Sequence, residues 1–239
     1  MDQNIKRILL KLSGEVLVGD QKFGIDNSAI HQIIEDIIEV YQCGIEIGIV
    51  IGGGNIFRAS SPLAAGMARI NADKIGMLAT IQNSIILADK FTNMGIPNQA
   101  FSSVDMNSIL PVFNSNIANK ILSQKKIAIF AGGTGNPFFT TDTAAVLRAC
   151  EINADLMLKA TKVDGVYSTD PKKDKQAIFY PQISYKQILQ NKLKVMDLTA
   201  VSLAMDNRLL IKVFNVKIKG NIKKAIYIDE IGTLIHSEG

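Results

Sequence analysis

"KIAIFAGGTGNPFFTTDTAAVLRACEINADLMLKATK", residues 126–162, runs from an apolar strand pattern through a turn of glycine, asparagine, proline and threonine into a helical pattern, and then into a second strand pattern. The same alternation extends outward in both directions. Short runs rich in Ile and Val recur at 5–13, 46–53, 98–103 and 210–216, with a last one near 232–235, beside those at 126–133 and 155–162. Between the first two lies IDNSAIHQIIEDIIEVYQCG, residues 25–44, with Ile30, Ile33, Ile34, Ile37, Ile38 and Tyr41 at three- and four-residue spacing. That spacing predicts an amphipathic helix, capped by Asp26 or Asn27 and ended by Gly44. Strands apolar on both faces and separated by helices specify an α/β fold, a three-layer sandwich whose central, mostly parallel sheet is covered by helices on both faces. A chain of 239 residues suits one such domain, with two lobes as the alternative.

Composition removes several function classes. No apolar run approaches the roughly 20 residues of a bilayer span, and MDQNIKRILLKLSGE, residues 1–15, has charges inside its apolar part and no small-residue cleavage site. The expectation is a cytosolic protein without a signal peptide. Cys43 and Cys150 form no CxxC pair and read as reduced packing residues. His31 and His236 are the only histidines, which argues against a His-based metal site or a Ser/His/Asp triad. The net charge of +4 is mild, and the cluster Lys172, Lys173 and Lys175 reads as a solvated loop rather than a nucleic-acid surface.

In a parallel sheet, ligands collect beyond the carboxyl ends of the strands. Three strand patterns end there in small-residue turns: "KLSGE" (11–15), "IGGGNIFR" (51–58) and "AGGTGNPFFTTD" (131–142). Glycine lets the backbone approach a ligand, and the N–H groups that open a following helix attract anions. One such turn is only a tight connection; three together suggest polyphosphate. Neither GxxxxGK[ST] nor a GxGxxG in the strand-to-helix setting is present, which disfavours a P-loop kinase and a dinucleotide dehydrogenase. Lys11 sits inside an apolar strand, where its charge calls for an anion at the sheet's end, an edge or snorkelling lysine being the alternative. Arg58 offers a bidentate fork to phosphate oxygens or, read alone, a surface ion pair.

"KRILLKLSGE", "VIGGGNIFR", "GMLAT", "AGGTGNPFFTTD", "LKATKVDGVYSTDP" and "LKVMDL" occur in the order and approximate spacing of the bacterial uridylate kinases, the UMP kinases of the amino acid kinase superfamily. The chain resembles that family over essentially its whole length. The resemblance implies an ATP site at Lys11, Leu12, Ser13, Gly14, Gly54, Arg58, Thr161, Tyr167 and Asp170. It implies a UMP site at Gly53, Asp73, Thr134, Gly135, Asn136, Pro137, Phe138, Phe139, Thr140 and Thr141. Lys11, Arg58, Asp142, Asp197 and Lys159 would form the reaction centre, with the two carboxylates organising Lys11 and Lys159. The acceptor side would occupy roughly 1–150 and the ATP side 151–239. Local alternatives stand beside several of these roles: core packing for one of the adjacent Phe138 and Phe139 rings, a helix cap for Thr140, a turn residue for Asp170, and a solvated or capping carboxylate for Asp142 and Asp197.

The implied reaction is transfer of the γ-phosphoryl of Mg-ATP to UMP, giving UDP and ADP within pyrimidine nucleotide biosynthesis. Mg²⁺ would be held mainly through ATP, because no dense acidic cage is visible and no protein metal ligand is assigned. The resemblance also implies a homohexamer, GTP activation and UTP inhibition. Two departures bear on it: Ala59 follows Arg58 where the family often has glycine, and the interior of "GDQKFG" (19–24) differs from the loop linked to GTP activation. The helical stretch 71–95, with Ile75, Leu78, Ile81, Ile85 and Ile86, serves a subunit interface or an internal core equally well. Rival acceptors within the superfamily are carboxylates and carbamate, and a rival class is a nucleotide sensor without turnover. The retention of Lys11 and Arg58 counts against the sensor.

Overall fold

The structure is a computed structural model that describes residues 5–19, 21, 23–58 and 64–237. Ala59, and positions 20 and 22 of the 19–24 segment, lie outside the described residues. Strands β1 (Arg7–Leu12), β2 (Glu46–Ile51), β3 (Asn98–Ser102), β4 (Ile127–Ala131), β5 (Leu156–Thr161) and β9 (Ile211–Asn215) stand where the apolar runs place them. With β8 (Gln182–Ser184) and β10 (Thr233–His236) they form one sheet in the order β3-β4-β2-β1-β5-β9-β10-β8. Every pairing is parallel except β9 with β10. A separate hairpin pairs β6 (Val166–Tyr167) with β7 (Phe179–Tyr180).

Helices cover both faces, as the double-sided apolar strands require. Helix α1 (Asn27–Gln42) and helix α2 (Arg69–Asn93) lie on one face with α7 (Asn221–Tyr227), where Ile30, Ile34, Leu87 and Ile222 pack on Leu10, Ile49, Ile129 and Leu158. Helices α3 (Ser115–Ser123), α4 (Thr141–Glu151), α5 (Tyr185–Gln190) and α6 (Leu198–Asp206) cover the other, over Leu9, Val50, Phe130 and Met157. Asp26 caps α1 by accepting from Ala29 N, which resolves the choice between Asp26 and Asn27. The apolar positions of α2 divide between core and surface: Ile81 is buried, Ile75 and Ile86 are half-buried, and Leu78 and Ile85 are exposed. Among the described residues no helix is long and apolar enough to cross a membrane.

Candidate active site

The two lysines that interrupt the central strands meet. β1 and β5 are neighbours in a register that sets Lys11 beside Lys159, so both project from one sheet face near the strands' carboxyl ends. They are 8 % and 7 % exposed. Like charges side by side and out of water repel, and each carries a desolvation cost. Asp142, in the first turn of α4, answers both: its Oδ1 lies 2.9 Å from Lys11 Nζ and its Oδ2 binds Lys159 Nζ. Burial alone would push the Asp142 carboxyl up, but the two lysines outweigh it and hold it below the usual carboxylate range. Burial, with Lys11 adding to it, brings the Lys159 ammonium down against the pull of Asp142.

Asp197 stands beside this centre but takes the capping role that was its alternative. It caps α6 through Ala200 N at 3.0 Å, and accepts from Thr143 Oγ1 at 2.8 Å and from Thr140 Oγ1. It binds neither lysine and acts on Lys159 only as a nearby negative charge. Thr140 is the N-cap of α4, accepting from Asp142 N and Thr143 N at 3.1 and 3.3 Å. The helix thus opens toward the lysines with the orientation that attracts phosphate.

The first two glycine turns press directly on each other. A Cβ on Gly14 would stand 2.7 Å from Gly52 O and 2.9 Å from Gly54 N, so no side chain fits. Arg58 donates from Nε to Gly54 O at 2.8 Å, and its Nη2 pairs with Glu15, which also holds Lys162 at 3.2 Å. In the third turn Gly135 has φ +81° and lies against Ser103, where a Cβ would be 2.7 Å from a carbonyl oxygen. Phe138 takes φ +72°, an uncommon strain for an aromatic residue. Its N–H donates to Asp73 Oδ2 at 2.8 Å, and its ring lies 5.8 Å from the Arg69 guanidinium.

Two cavities flank this centre. One, of about 540 Å³, is lined by Gly53, Gly54, Arg58, Asp73, Thr134, Asn136, Phe139, Thr140 and Thr141 among others. Gly135, Pro137 and Phe138 stand outside its lining, and of the adjacent rings it is Phe139 that faces in. The other cavity, of about 620 Å³, is lined by Lys159, Thr161, Tyr167 and Asp170. Asp170 also accepts from Lys172 N at 3.0 Å, the turn role open to it from sequence. Leu12 turns its side chain into the core, leaving only its backbone for a ligand. Gly54 and Arg58, expected with ATP, line the first cavity.

Residues 6–215 match the family model described as the amino acid kinase family. The chain belongs to the amino acid kinase family. Among solved structures, it is similar to the UMP kinase of Bacillus anthracis at 36% identity and a TM-score of 0.95, covering 99% of this chain and 98% of that one. It is similar to the UMP kinase of Ureaplasma parvum at 32% identity and a TM-score of 0.92, covering 98% and 100%. The uridylate kinase of Archaeoglobus fulgidus shares 29% identity at a TM-score of 0.72, over 95% of this chain and 99% of that one. This amino acid kinase therefore has the fold of a phosphotransferase over nearly its full length.

Sequence reasoning missed parts of this kinase's site. Arg69 lines the first cavity and grips Asp73 with Nε at 2.9 and 2.8 Å from the two carboxylate oxygens. The i, i+4 spacing of Arg69 and Asp73 was the available signal. Residues 191–195 also wall the second cavity; 193–195 open the "LKVMDL" block, from which the resemblance gives only Asp197 a role, and Asn191 and Lys192 carried no signal.

Proposed function

We propose that this amino acid kinase transfers the γ-phosphoryl of Mg-ATP to UMP, giving ADP and UDP. The observation that carries the reading is the Lys11–Asp142–Lys159 cluster set between two cavities at the carboxyl ends of the central strands. The larger cavity takes ATP, its base beside Tyr167 and Asp170; the smaller takes UMP, with Asp73 and Asn136 offering polar partners to the nucleoside.

Phosphoryl transfer asks the protein for positioning and charge rather than covalent chemistry. A phosphate monoester has a second pKa of about 6, so the acceptor is largely a dianion at neutral pH and no general base is required. An oxygen of that dianion forms a bond to the γ-phosphorus as the bond to the β,γ-bridging oxygen breaks, and ADP leaves with its electron pair. Lys11 and Lys159, kept apart and aligned by Asp142, neutralise charge on the moving group from one side. Arg58 and the N-terminus of α4 do so from the other. Mg²⁺ bound to the nucleotide supplies further neutralisation of the phosphate oxygens. Both Asp142 oxygens are already engaged by lysines, so the ion would be held mainly through ATP oxygens and water.

The family resemblance extends the proposal to a cytosolic homohexamer, activated by GTP and inhibited by UTP, acting in pyrimidine nucleotide biosynthesis. Exposed Ile70, Leu78 and Ile85 along α2 offer apolar surface for such an assembly. The test of substrate is ADP release from Mg-ATP with UMP, CMP, dUMP, carbamate and glutamate offered separately, and with Lys11→Ala alongside. Turnover on UMP, lost in Lys11→Ala, is expected. Turnover on carbamate or glutamate instead would move the chain to another branch of the family, and binding without turnover would make it a sensor.

A further inference from the structure

The second glycine turn is held from behind by two asparagines that the proposed chemistry leaves unused. Asn55 and Asn83 are 2 % and 0 % exposed. Their carboxamides close a ring, Asn55 Nδ2 donating to Asn83 Oδ1 at 3.0 Å and Asn83 Nδ2 to Asn55 Oδ1 at 2.7 Å. Each keeps its other N–H for a backbone carbonyl: Asn55 for Gly24 O at 3.0 Å, Asn83 for Gly52 O at 2.7 Å. Both outer partners are acceptors, so only this orientation of the two amides satisfies all four N–H donors.

The carbonyl of Gly52 and the N–H of Gly53 belong to one trans peptide and point in opposite directions. With Gly52 O turned to Asn83, the Gly53 N–H is turned away from the asparagines. Gly53 lines the smaller cavity, and its N–H donates to no protein acceptor among the described residues. The turn packs closely on α2 and has no room for a side chain, since a Cβ on Gly53 would stand 2.7 Å from Ala79 Cβ and 2.9 Å from Gly76 O.

We propose that Asn83, braced by Asn55, is a positioning residue that fixes the Gly52–Gly53 peptide so that the Gly53 N–H is presented to the phosphate of the acceptor. This rests on the reading of the smaller cavity as the UMP site. Asn83→Asp keeps the size and the acceptor for Asn55 but sets a carboxylate oxygen against Gly52 O, which turns the peptide away.

The experiment measures KM for UMP and for Mg-ATP separately, UMP binding by calorimetry without ATP, and the melting temperature. Asn83→Asp is expected to raise KM and the dissociation constant for UMP about tenfold, with a much smaller change for Mg-ATP. Asn55→Ser, which removes the brace and leaves Asn83 in place, is expected to move the same quantities less, and it decides the matter if Asn83→Asp does not fold. Tyr185→Phe is the control for stability alone: it deletes the buried hydroxyl that donates to Leu209 O at 2.6 Å, at a residue that lines neither cavity, and lowers the melting temperature with KM for UMP unchanged. A folded Asn83→Asp or Asn55→Ser enzyme with the wild-type KM for UMP overturns the proposal, as does an equal rise for both substrates. Absence of UMP turnover in the wild-type chain removes the function reading, and this inference with it.

Discussion

Asp142 carries the charge balance of the site, because a single carboxylate faces two buried ammonium groups. Removing it should therefore cost both stability and rate. Asp142→Asn leaves Lys11 and Lys159 side by side without a counter-charge, a change expected to cost roughly 3–5 kcal/mol of stability. The turnover number should fall about 10²–10³-fold as the two cations lose their alignment. Urea unfolding and steady-state rates at saturating ATP and UMP check the two effects. The pH dependence has a definite sign. The carboxyl's folded value lies below its ordinary value of 3.8, so its contribution is present above that pH and is lost as pH falls through the folded value. The stability gap between wild type and Asp142→Asn should stay constant from neutrality down to about pH 4 and close below it. A gap that closes above pH 5 would mean that the lysines do not hold the carboxyl down.

Helix α7 is only seven residues long and is fastened at both ends by charged side chains from its neighbours. Asp36, on α1, accepts from Gly220 N at 3.0 Å at its N-terminus, and Lys212, on β9, donates to Asp229 O at 2.8 Å just past its C-terminus. These are the signs that complement a helix dipole. The Asp36 fastening has a cost: the side chain is 2 % exposed, its Oδ1 has no hydrogen-bond partner among the described residues, and burial raises the carboxyl above its ordinary value. A raised carboxylate costs stability while ionised, and that cost disappears as pH falls through the folded value. Asp36→Asn keeps an acceptor for Gly220 N without the charge. It should melt higher than wild type at neutral pH, with the difference shrinking on acidification. Equal melting temperatures across the range would show that Asp36 is not burdened by its burial. Such fastenings also mark how far sequence reasoning reached. The strands and α1 were legible because their apolar spacing is a local property, and the three glycine turns because β-to-α junctions carry their own chemistry. The register that places Lys11 beside Lys159, the hydrogen bonds from Thr140 and Thr143 to Asp197 and the hold of Glu15 on Arg58 depend on which strands and loops become neighbours. No local pattern encodes that.

At the scale of the molecule, both cores run through the sheet's whole central part. On one face Leu10, Ile49, Ile129, Leu158 and Phe214 belong to a single cluster, and on the other Leu9, Val50, Phe130, Met157 and Val213 do. The strands of residues 1–150 and of 151–239 meet at the β1–β5 pairing, which lies inside both clusters. We therefore propose that the two halves form one cooperative unit. The tyrosines make this measurable, because Tyr167, Tyr180, Tyr185 and Tyr227 report on the second half and only Tyr41 on the first. Near-ultraviolet dichroism thus follows mainly the half that holds the ATP cavity, while far-ultraviolet dichroism follows the helices of both. The two signals should trace the same thermal transition. UMP, which binds the first half in the proposed function, should shift both equally: at a hundred times its dissociation constant it adds about 2.7 kcal/mol, or roughly 5–10 °C for a chain of this size. A far-ultraviolet transition in two steps, with UMP moving only one of them and leaving the near-ultraviolet transition in place, would show that the lobes unfold independently and that the shared sheet does not couple them.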